Sequence, residues 1–507
     1  MEIKGLQPIW DKTIIDEQQT TAAFLVGTPV KREAVFAADR PWEGEINYAN
    51  VLKDGDIYKM YYITHIRSND KCAKYTYSED EILANKWLLF YTNIFVCYAE
   101  SKDGVHWKKP DLGLCEYKGN KNNNIILRSE DLPGRFSMWD NFFVFKDTNP
   151  DCPKDEVYKG IGFDCKLLDD GVESEFREGL SYYASPDGKV FRFIRVLEIK
   201  NGTFDTLNTC SYDEVEKRYV LYYRGWHNIP ADGDRIKGTR DIKVAWSSDF
   251  VKWNGFEQIK FNDSEDYPLY TNNIMRYYRN KDIRIGFPTR YTERPCWTSN
   301  YDELTGKEAR IKRMSNGHPR EGLAITDCIF MCSRNGEKWD RINEAFLTPG
   351  QEVNDNWVYG DCYPAYSMIE TMAEDGENKE ISFYMPKTGN NENSGEKTPE
   401  KLYRWSLRRD GFAYYCANAK GGTVITKPFV FKGKGLRINF ATSAYGNIKI
   451  VIKDKEGNEA STCELFGDSD NRNVKFENAD ITDFSGKEIT LTFEMKDAKL
   501  YAFEFLG

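Results

Sequence analysis

IFVCYAESKDGVHW, residues 94–107, is an apolar run that ends in a serine, an Asp-Gly step and an aromatic ring. The same order of residue types recurs in GLSYYASPDGKVF (179–191), IKVAWSSDFVKW (242–253) and CIFMCSRNGEKW (328–339), roughly 60–85 residues apart. Short apolar runs rich in β-branched and aromatic residues make strands buried on both faces. The Asp-Gly or Asn-Gly step supplies the positive φ of a tight turn, and the aromatic opens the following strand. Each repeat is therefore predicted to form the outer half of a small antiparallel sheet.

Further strand-like runs precede each turn. The first members are NYANVLKD, NFFVFKD, LNTCSYDE and NNIMRYY, and the second are YKMYYIT, YKGIGF, RYVLYYRGW and IRIGFP. A fifth unit, CYPAYSMIET, EISFYMP and LYRWSLRRDGF, lacks the Ser-Asp-Gly turn. Five sheets of about four strands close most economically as a ring, because radial stacking buries both faces of every sheet and leaves few open edges. The predicted fold is all-β: a five-bladed β-propeller over residues 1–410, with the N-terminal residues a candidate for closing the ring. After Gly411 the texture changes to short alternating runs, among them GLRINFATS, NIKIVIKD, EITLTFEM and KLYAFEFL, which predict a C-terminal β-sandwich over 411–507. The best helix signal is SEDEILANKWLLFY at 78–91, and the polar stretch 387–401 reads as a solvated insertion in the fifth blade.

Composition narrows the function classes. Lys+Arg 70 against Asp+Glu 80 gives a net charge of -10 over 507 residues, which argues against nucleic acid or an anionic membrane as the main partner. Aromatic residues make up 14%, a supply suited to packed β-structure and to sugar-stacking surfaces. The first residues carry no apolar signal-peptide core, and no later stretch approaches the ~18 apolar residues of a membrane span, so a cytoplasmic address is expected. The 12 cysteines form no CxxC pair and the 4 histidines show no metal-ligand spacing, so neither a metal nor another cofactor is expected. No GxSxG elbow is present, which leaves a serine hydrolase unsupported.

In a propeller the innermost strands converge at one mouth of the central channel, so the chemistry is sought where those strands start. The five starts read DRPWEGEINYAN, SMWDNFF, GTFDTLNT, LYTNNIM and VYGDCYPAY, and they carry Asp39 and Glu43, Asp140, Asp205 and Asp361. Glu43, Asp140 and Asp205 each adjoin an aromatic residue, namely Trp42, Trp139 and Phe204. Two carboxyls across a small space, one protonated and one charged, are what hydrolysis of a glycosidic bond requires. Any one of these acids taken singly is more often a turn cap bonded to nearby backbone N–H; the set at equivalent blade positions favours chemistry. Around them, Arg290 is placed to orient a carboxylate or hydroxyl. Asn208, Asn272 and Asn273 are placed to bond sugar hydroxyls, and Trp42, Trp139, Trp226 and Tyr270 to stack on a sugar ring. Asp327 and Asp361 are further candidates to line the cavity.

The stretches DRPWEG…YANVLKDGDIYKMYY, YAESKDGVHWKKPDLGL, DNFFVFKDTNP, FDTLNT…RYVLYYRGW, YTNNI…IGFPTRY and LRRDGFAYYCA run over nearly the whole chain. In them the chain resembles the five-bladed propeller glycosidases, invertase-like and arabinanase-like, and most closely a group of uncharacterised bacterial proteins of the same build. The resemblance implies a glycoside hydrolase acting on a small oligosaccharide or glycoside, with furanosides among the candidates. It implies an acid of the first blade as nucleophile or base, one of the second as transition-state support, and one of the third as general acid. Carried over by position, these fall on Glu43 (or Asp39), Asp140 and Asp205. The WMNDPNG, RDP and EC signatures of the invertase-like enzymes are absent. Two alternatives stand beside this reading. A glycoside phosphorylase would need a basic cluster at the mouth, for which Arg290, Arg294 and His318 are the group in view, and a non-catalytic sugar-binding propeller would need no converging acids.

Overall fold

The computed structural model describes residues 1–65, 94–128, 141–163, 180–233, 237–316, 322–353, 356–386 and 399–507. The helix expected at 78–91 lies outside the described residues, as does most of the 387–401 insertion.

The five expected sheets form, each running from an innermost to an outermost strand. Blade I is Glu45–Asp54, Ile57–His65, Ile94–Ser101 and Trp107–Lys108; blade II is Phe142–Lys146, Tyr158–Phe163, Leu180–Ser185 and Arg192–Leu197. Blade III is Thr209–Asp213, Arg218–His227, Thr239–Ser247 and Asn254–Gln258; blade IV is Met275–Tyr277, Asn280–Gly286, Met331–Ser333 and Lys338–Arg341. Blade V takes Ile369–Met372, Lys379–Pro386 and Lys401–Arg408 from the end of the repeat region, and its outermost strand, Val30–Ala37, from the N-terminal side. That strand closes the ring with main-chain hydrogen bonds between segments more than 350 residues apart, so the first and last blades cannot separate without breaking a sheet.

Apolar layers fill the spaces between blades: Tyr61, Val96, Phe142 and Tyr183 in one, Phe36, Tyr62, Phe95 and Leu402 in another, and Tyr222, Ile274, Met331 and Trp339 in a third. The Ser-Asp-Gly stretches are the turns between third and fourth strands. In blade I the Ser101 hydroxyl accepts from Gly104 N (2.9 Å) and Asp103 Oδ1 accepts from Val105 N (2.8 Å), and Ser185 and Asp187 repeat the arrangement in blade II. Gly104 has φ 76, and a Cβ there would come within 2.2 Å of the Ile369 side chain of blade V, so the turn admits no larger residue without displacing its neighbour.

At the opposite ends of the inner strands, away from their starts, an acid of blades I, II and III accepts from the next blade. Asp54 accepts from the Tyr158 hydroxyl and from Lys146 (2.5 Å), Asp147 from the Tyr219 hydroxyl (2.8 Å), and Asp213 from Arg276 (2.8 Å) and Arg284 (2.7 Å). The same end carries the C-terminal module. Asp410, fully buried, accepts from the Tyr277 hydroxyl (2.5 Å), from Arg279 and from Asn439 Nδ2 (2.9 Å), so one carboxylate joins blade IV to the C-terminal sheet.

The C-terminal module is a ten-stranded sheet built on two long strands, Gly435–Asp454 and Glu488–Leu506, which pair along nearly their whole length. The pairing shifts register between Thr442 and Asn447, and side chains from both halves enter one apolar core that includes Ile438, Phe440, Ile450, Leu491 and Phe503. The sheet therefore folds on itself as a sandwich-like unit. The division at residue 410 needs one correction: Glu2–Ile3, Gly5–Pro8 and Ala23–Val26 pair with the C-terminal sheet, not with the propeller. Short strands of this kind have no partner nearby in sequence, and an open edge in the C-terminal sheet supplies one.

Two helices, Ser299–Glu303 and Lys307–Asn316, sit in an insertion of blade IV framed by the hairpin Thr289–Glu293 and Ala324–Cys328. No helix among the described residues is long and apolar enough to cross a membrane. The ten described cysteines are free thiols, and burial pushes those of Cys97, Cys210, Cys328 and Cys332 well up.

The staple at Asp54 carries a pH signature. Burial pushes its carboxyl up, but hydrogen bonds from Lys146, Tyr158 and Lys59 outweigh that and hold it well below the usual carboxylate range. A carboxyl with a depressed folded value adds stability above its unfolded value of about 4, and that stability is lost as pH falls toward the folded value. Asp54→Asn is expected to cost about 1 kcal/mol at pH 7, the scale of a partly exposed pair. Urea midpoints compared at pH 7 and pH 3 should show a smaller fall for the variant than for the wild type.

Candidate active site at the channel mouth

The inner strands have no hydrogen-bonding neighbour on their axial side, so their free backbone groups need side-chain partners. Asparagines supply them, blade to blade. Asn50 donates to Val144 O (2.7 Å) and accepts from Val144 N (3.2 Å), joining blades I and II. Asn141 donates to Phe204 O (2.5 Å) and accepts from Asn208 Nδ2 (3.2 Å), joining II and III. Asn272 donates to Leu207 O (3.2 Å) and accepts from the Thr209 hydroxyl (2.8 Å), joining III and IV, and Asn273 donates to Pro364 O (2.7 Å), joining IV and V. Main-chain bonds of Tyr366 to Ala49 and Val51 complete the circuit. Asn208 and Asn272, expected as sugar ligands, thus have their carboxamides turned to the neighbouring blade.

The acids of the first blade form a closed network. The Glu43 side chain is 0% exposed; it accepts from Lys109 Nζ (2.6 Å), from Arg40 N (2.9 Å) and from the Tyr62 hydroxyl. Lys109 also binds Asp39 (2.8 Å), and Trp42 Nε1 donates to Asn124 Oδ1 (2.8 Å), whose amide donates to Tyr62 (2.7 Å). The Asp39 carboxyl, pushed up by partial burial and down more strongly by Lys109, lies below its ordinary value. Glu43 in this arrangement offers no oxygen to solvent, and it clasps the loop entering blade I.

Blade III places its acid differently. The Asp205 side chain is 41% exposed and pairs with Arg224, which is itself 4% exposed. Arg224 lies against Tyr270 (5.2 Å to the ring centroid) and Trp226 (5.7 Å). Arg240 lies against Trp226 (4.6 Å), Tyr291 (4.6 Å) and Tyr270 (5.6 Å). Tyr270 in turn stacks on Tyr363 (5.4 Å) and meets Tyr359 edge-on (5.8 Å). Tyr48, held at φ 43 in a bulge of blade I, is near enough to Tyr363 to act on its hydroxyl electrostatically. Strand starts of blades I, III, IV and V therefore meet in one aromatic-walled cluster with a carboxylate and two guanidiniums. Burial pushes the Tyr359 and Tyr363 hydroxyls well up, so they remain neutral donors.

The remaining candidates divide. Asp140 and Trp139 lie outside the described residues, as does His318. Arg290 and Asp327 neutralise each other in a two-pronged pair (2.9 and 2.6 Å). Asp361 is fully buried and accepts from Val358 N (2.9 Å) within a turn where Trp357 and Cys362 take positive φ, the geometry of a turn cap. Burial pushes the Asp241 carboxyl up against the opposing effects of Lys243 and His227. Its chain position opposes Gly225, so strand alternation puts it on the face away from Arg224 and Trp226, in a side groove of about 620 Å³. No group of three or more His, Cys, Asp or Glu among the described residues is placed to hold a metal ion.

Arg224, Arg240, Tyr291, Tyr359 and Tyr363 were not singled out from sequence. Arg224 and Arg240 stand at the end of a second strand and the start of a third, which reach the same mouth as the inner-strand starts. The signal available was RGWH at the end of an otherwise apolar strand: a cation where the run leaves the core.

No protein family matches the chain by sequence, and no curated protein matches it. Among solved structures it is similar to an N-acetylgalactosamine deacetylase from F. plautii, at 10% identity over 77% of this chain and 95% of that one, with a TM-score of 0.43. It is similar to a GH32 beta-fructofuranosidase from Bombyx mori, at 8% identity over 97% and 95%, TM-score 0.39. The endo-arabinase from Bacteroides thetaiotaomicron gives 10% identity over 74% and 98%, TM-score 0.37. Likeness at this level carries no inference about chemistry.

The contrast between the two acids can be measured. Glu43→Gln removes the buried carboxylate from Lys109 and leaves it the exposed Asp39 as its one anionic partner here, which is expected to cost about 1–3 kcal/mol in denaturant unfolding. Its sugar affinity should stay within about twofold of wild type, because the clasp faces away from solvent. A stable variant with altered sugar affinity would return Glu43 to the site.

Proposed function

We propose that the protein is a glycoside hydrolase acting on a small oligosaccharide or glycoside, with its chemistry at the channel mouth of the propeller. The observation that carries this reading is the half-exposed Asp205 carboxylate, fixed by a buried arginine inside a wall of tyrosine and tryptophan rings. Aromatic faces take the apolar faces of a sugar ring, and tyrosine hydroxyls bond its hydroxyls. A carboxylate at that point is placed to stabilise the positive charge that develops at the anomeric carbon.

The pairing with Arg224 changes the role that position alone gave Asp205. A guanidinium in contact favours the charged form of a carboxyl, so Asp205 suits the base or nucleophile and not the proton donor. Asp140 is the partner proposed for the donor's part. Its sequence neighbour Asn141 is bonded to Phe204 O at 2.5 Å, one residue before Asp205. Glu43 and Asp39 belong to the clasp of blade I in this reading.

Hydrolysis of a panel of aryl glycofuranosides and glycopyranosides tests the reading. Asp205→Asn is expected to lower kcat by about 10³-fold while sugar binding persists, the scale of losing a positioned acid-base group. Full turnover by this variant would remove Asp205 from the mechanism. Sugar binding without turnover on any substrate would favour a non-catalytic sugar-binding propeller.

A further inference from the structure

Tyr445 is 67% exposed and Phe466 is 68% exposed, the two highest values among the large hydrophobic side chains of the described residues. Residues 411–507 are all described, and no other large hydrophobic side chain there is exposed. The backbone brings the two together. The long strands Gly435–Asp454 and Glu488–Leu506 pair at Thr442 with Ala498 and again at Asn447 with Lys496, so residues 443–446 bulge opposite Asp497 alone. On the other edge of Gly435–Asp454, Thr442 N donates to Gly467 O (2.8 Å) and the Thr442 hydroxyl accepts from Gly467 N (3.0 Å). Ile448 and Leu465 exchange main-chain bonds in both directions (2.8 Å each). Phe466 is the single residue between those two contacts, and Tyr445 sits in the bulge that the same contacts enclose.

The bulge is fixed by its own polar groups. The Ser443 hydroxyl donates to Asp497 (2.5 Å) and accepts from Tyr445 N (3.2 Å) and Gly446 N (3.1 Å). A Cβ at Gly446 would come within 2.2 Å of Asp497 O, so the two strands approach as closely as only glycine allows. Lys496 donates to the Tyr445 hydroxyl (2.8 Å) and lies 4.0 Å from the ring centroid, which holds the ring from one side. Folding stability gains by burying an aromatic ring, and this rigid bulge instead presents one to water. Two such rings supply at most about 300–500 Å², short of the ~800 Å² that each partner brings to a stable protein interface. They match the scale of a sugar ring, and Asp497 and Lys496 beside them have further capacity to accept from and donate to its hydroxyls.

We infer that Tyr445 and Phe466 form a carbohydrate-binding platform on the C-terminal module, their rings taking the apolar faces of a sugar chain. The choice of sugar as ligand rests on the reading of the propeller as a sugar enzyme. The platform itself lies on a separate module from the channel mouth and takes no part in the chemistry there.

Native gel electrophoresis of the full chain through gels containing arabinan, galactan, inulin or polygalacturonate tests the platform. The expected result is that at least one polysaccharide retards the wild type. Tyr445→Ala and Phe466→Ala should each weaken the retardation about fivefold, the scale of losing one stacked ring, and the double variant should abolish it. Tyr445→Phe and Phe466→Tyr keep the rings and should stay within about twofold of wild type. Urea midpoints confirm that each variant is folded, and both ring-keeping variants carry the test should an alanine variant fail. Retardation unchanged in the double variant overturns the platform, as does retardation by none of these polysaccharides. A wild-type dimer in sedimentation velocity that the double variant dissociates, with no retardation, would give the face to a second copy of the chain and overturn it too. Retardation lost in the double variant of a protein that turns over no glycoside would defeat the hydrolase reading alone, and glycoside turnover with retardation indifferent to both rings would defeat the platform alone.

Discussion

A ring of five sheets has a problem that an open sheet lacks: its innermost strands have no neighbouring strand on the axial side, and main-chain bonds cross between them only at points such as Asn50 and Tyr366. The asparagine carboxamides of residues 50, 141, 208, 272 and 273 meet that demand, each donating to backbone or side-chain oxygen of a neighbouring blade. A carboxamide donates from one atom and accepts at another, as a peptide group does, so it can replace a missing strand neighbour in either direction. At the other end of the same strands, staples at Asp54, Asp147 and Asp213 do the equivalent work between blades I and II, II and III, and III and IV.

The stitching explains where the candidate site lies. Polar residues at inner-strand starts are largely consumed by closure, so the charged side chains of the cluster come from the next ring out. Arg224 and Arg240 occupy such positions at the ends of the second and third strands of blade III. Asp205 escapes closure because it sits in the loop ahead of the inner strand, between Phe204 and Thr206, whose backbone and hydroxyl make the interblade contacts. The two kinds of polar residue are separated by one step along the chain.

That single step limits what the sequence could reveal. Blade strands were legible because buried strands and Asp-Gly turns are local patterns, and the inner, second and third strands fell where the runs predicted. The N-terminal strands pairing with the C-terminal sheet were not legible, since Gly5–Pro8 and its partner strand lie some 490 residues apart and share no local signal. The helix Lys307–Asn316 was missed for another reason: it carries only Ile311 and Met314 as large apolar residues, too few for a periodic stripe. For the site, the inner-strand starts do gather aromatic and charged side chains, but a one-residue change in strand register reverses which face a side chain occupies. Glu43 shows this. Its partner Lys109 is 66 positions away in sequence, and nothing near Glu43 marks the carboxylate as already taken.

The Asp410 junction adds a last constraint. It ties the C-terminal sheet to the end of the inner strand of blade IV, with Tyr277 and Arg279, while the aromatic cluster gathers at the start of that strand around Tyr270. The module therefore braces the propeller from the face opposite the mouth and contributes nothing to the walls around Asp205. Rigid support matters to a site of this composition. The Arg224 and Arg240 guanidiniums lie against aromatic rings, Arg224 with Asp205 as its carboxylate partner, and such a cluster keeps its geometry only if the strands beneath it cannot shift. Closure by Val30–Ala37, bracing through Asp410 and interblade asparagines together supply that stiffness to the strands that carry the aromatic cluster.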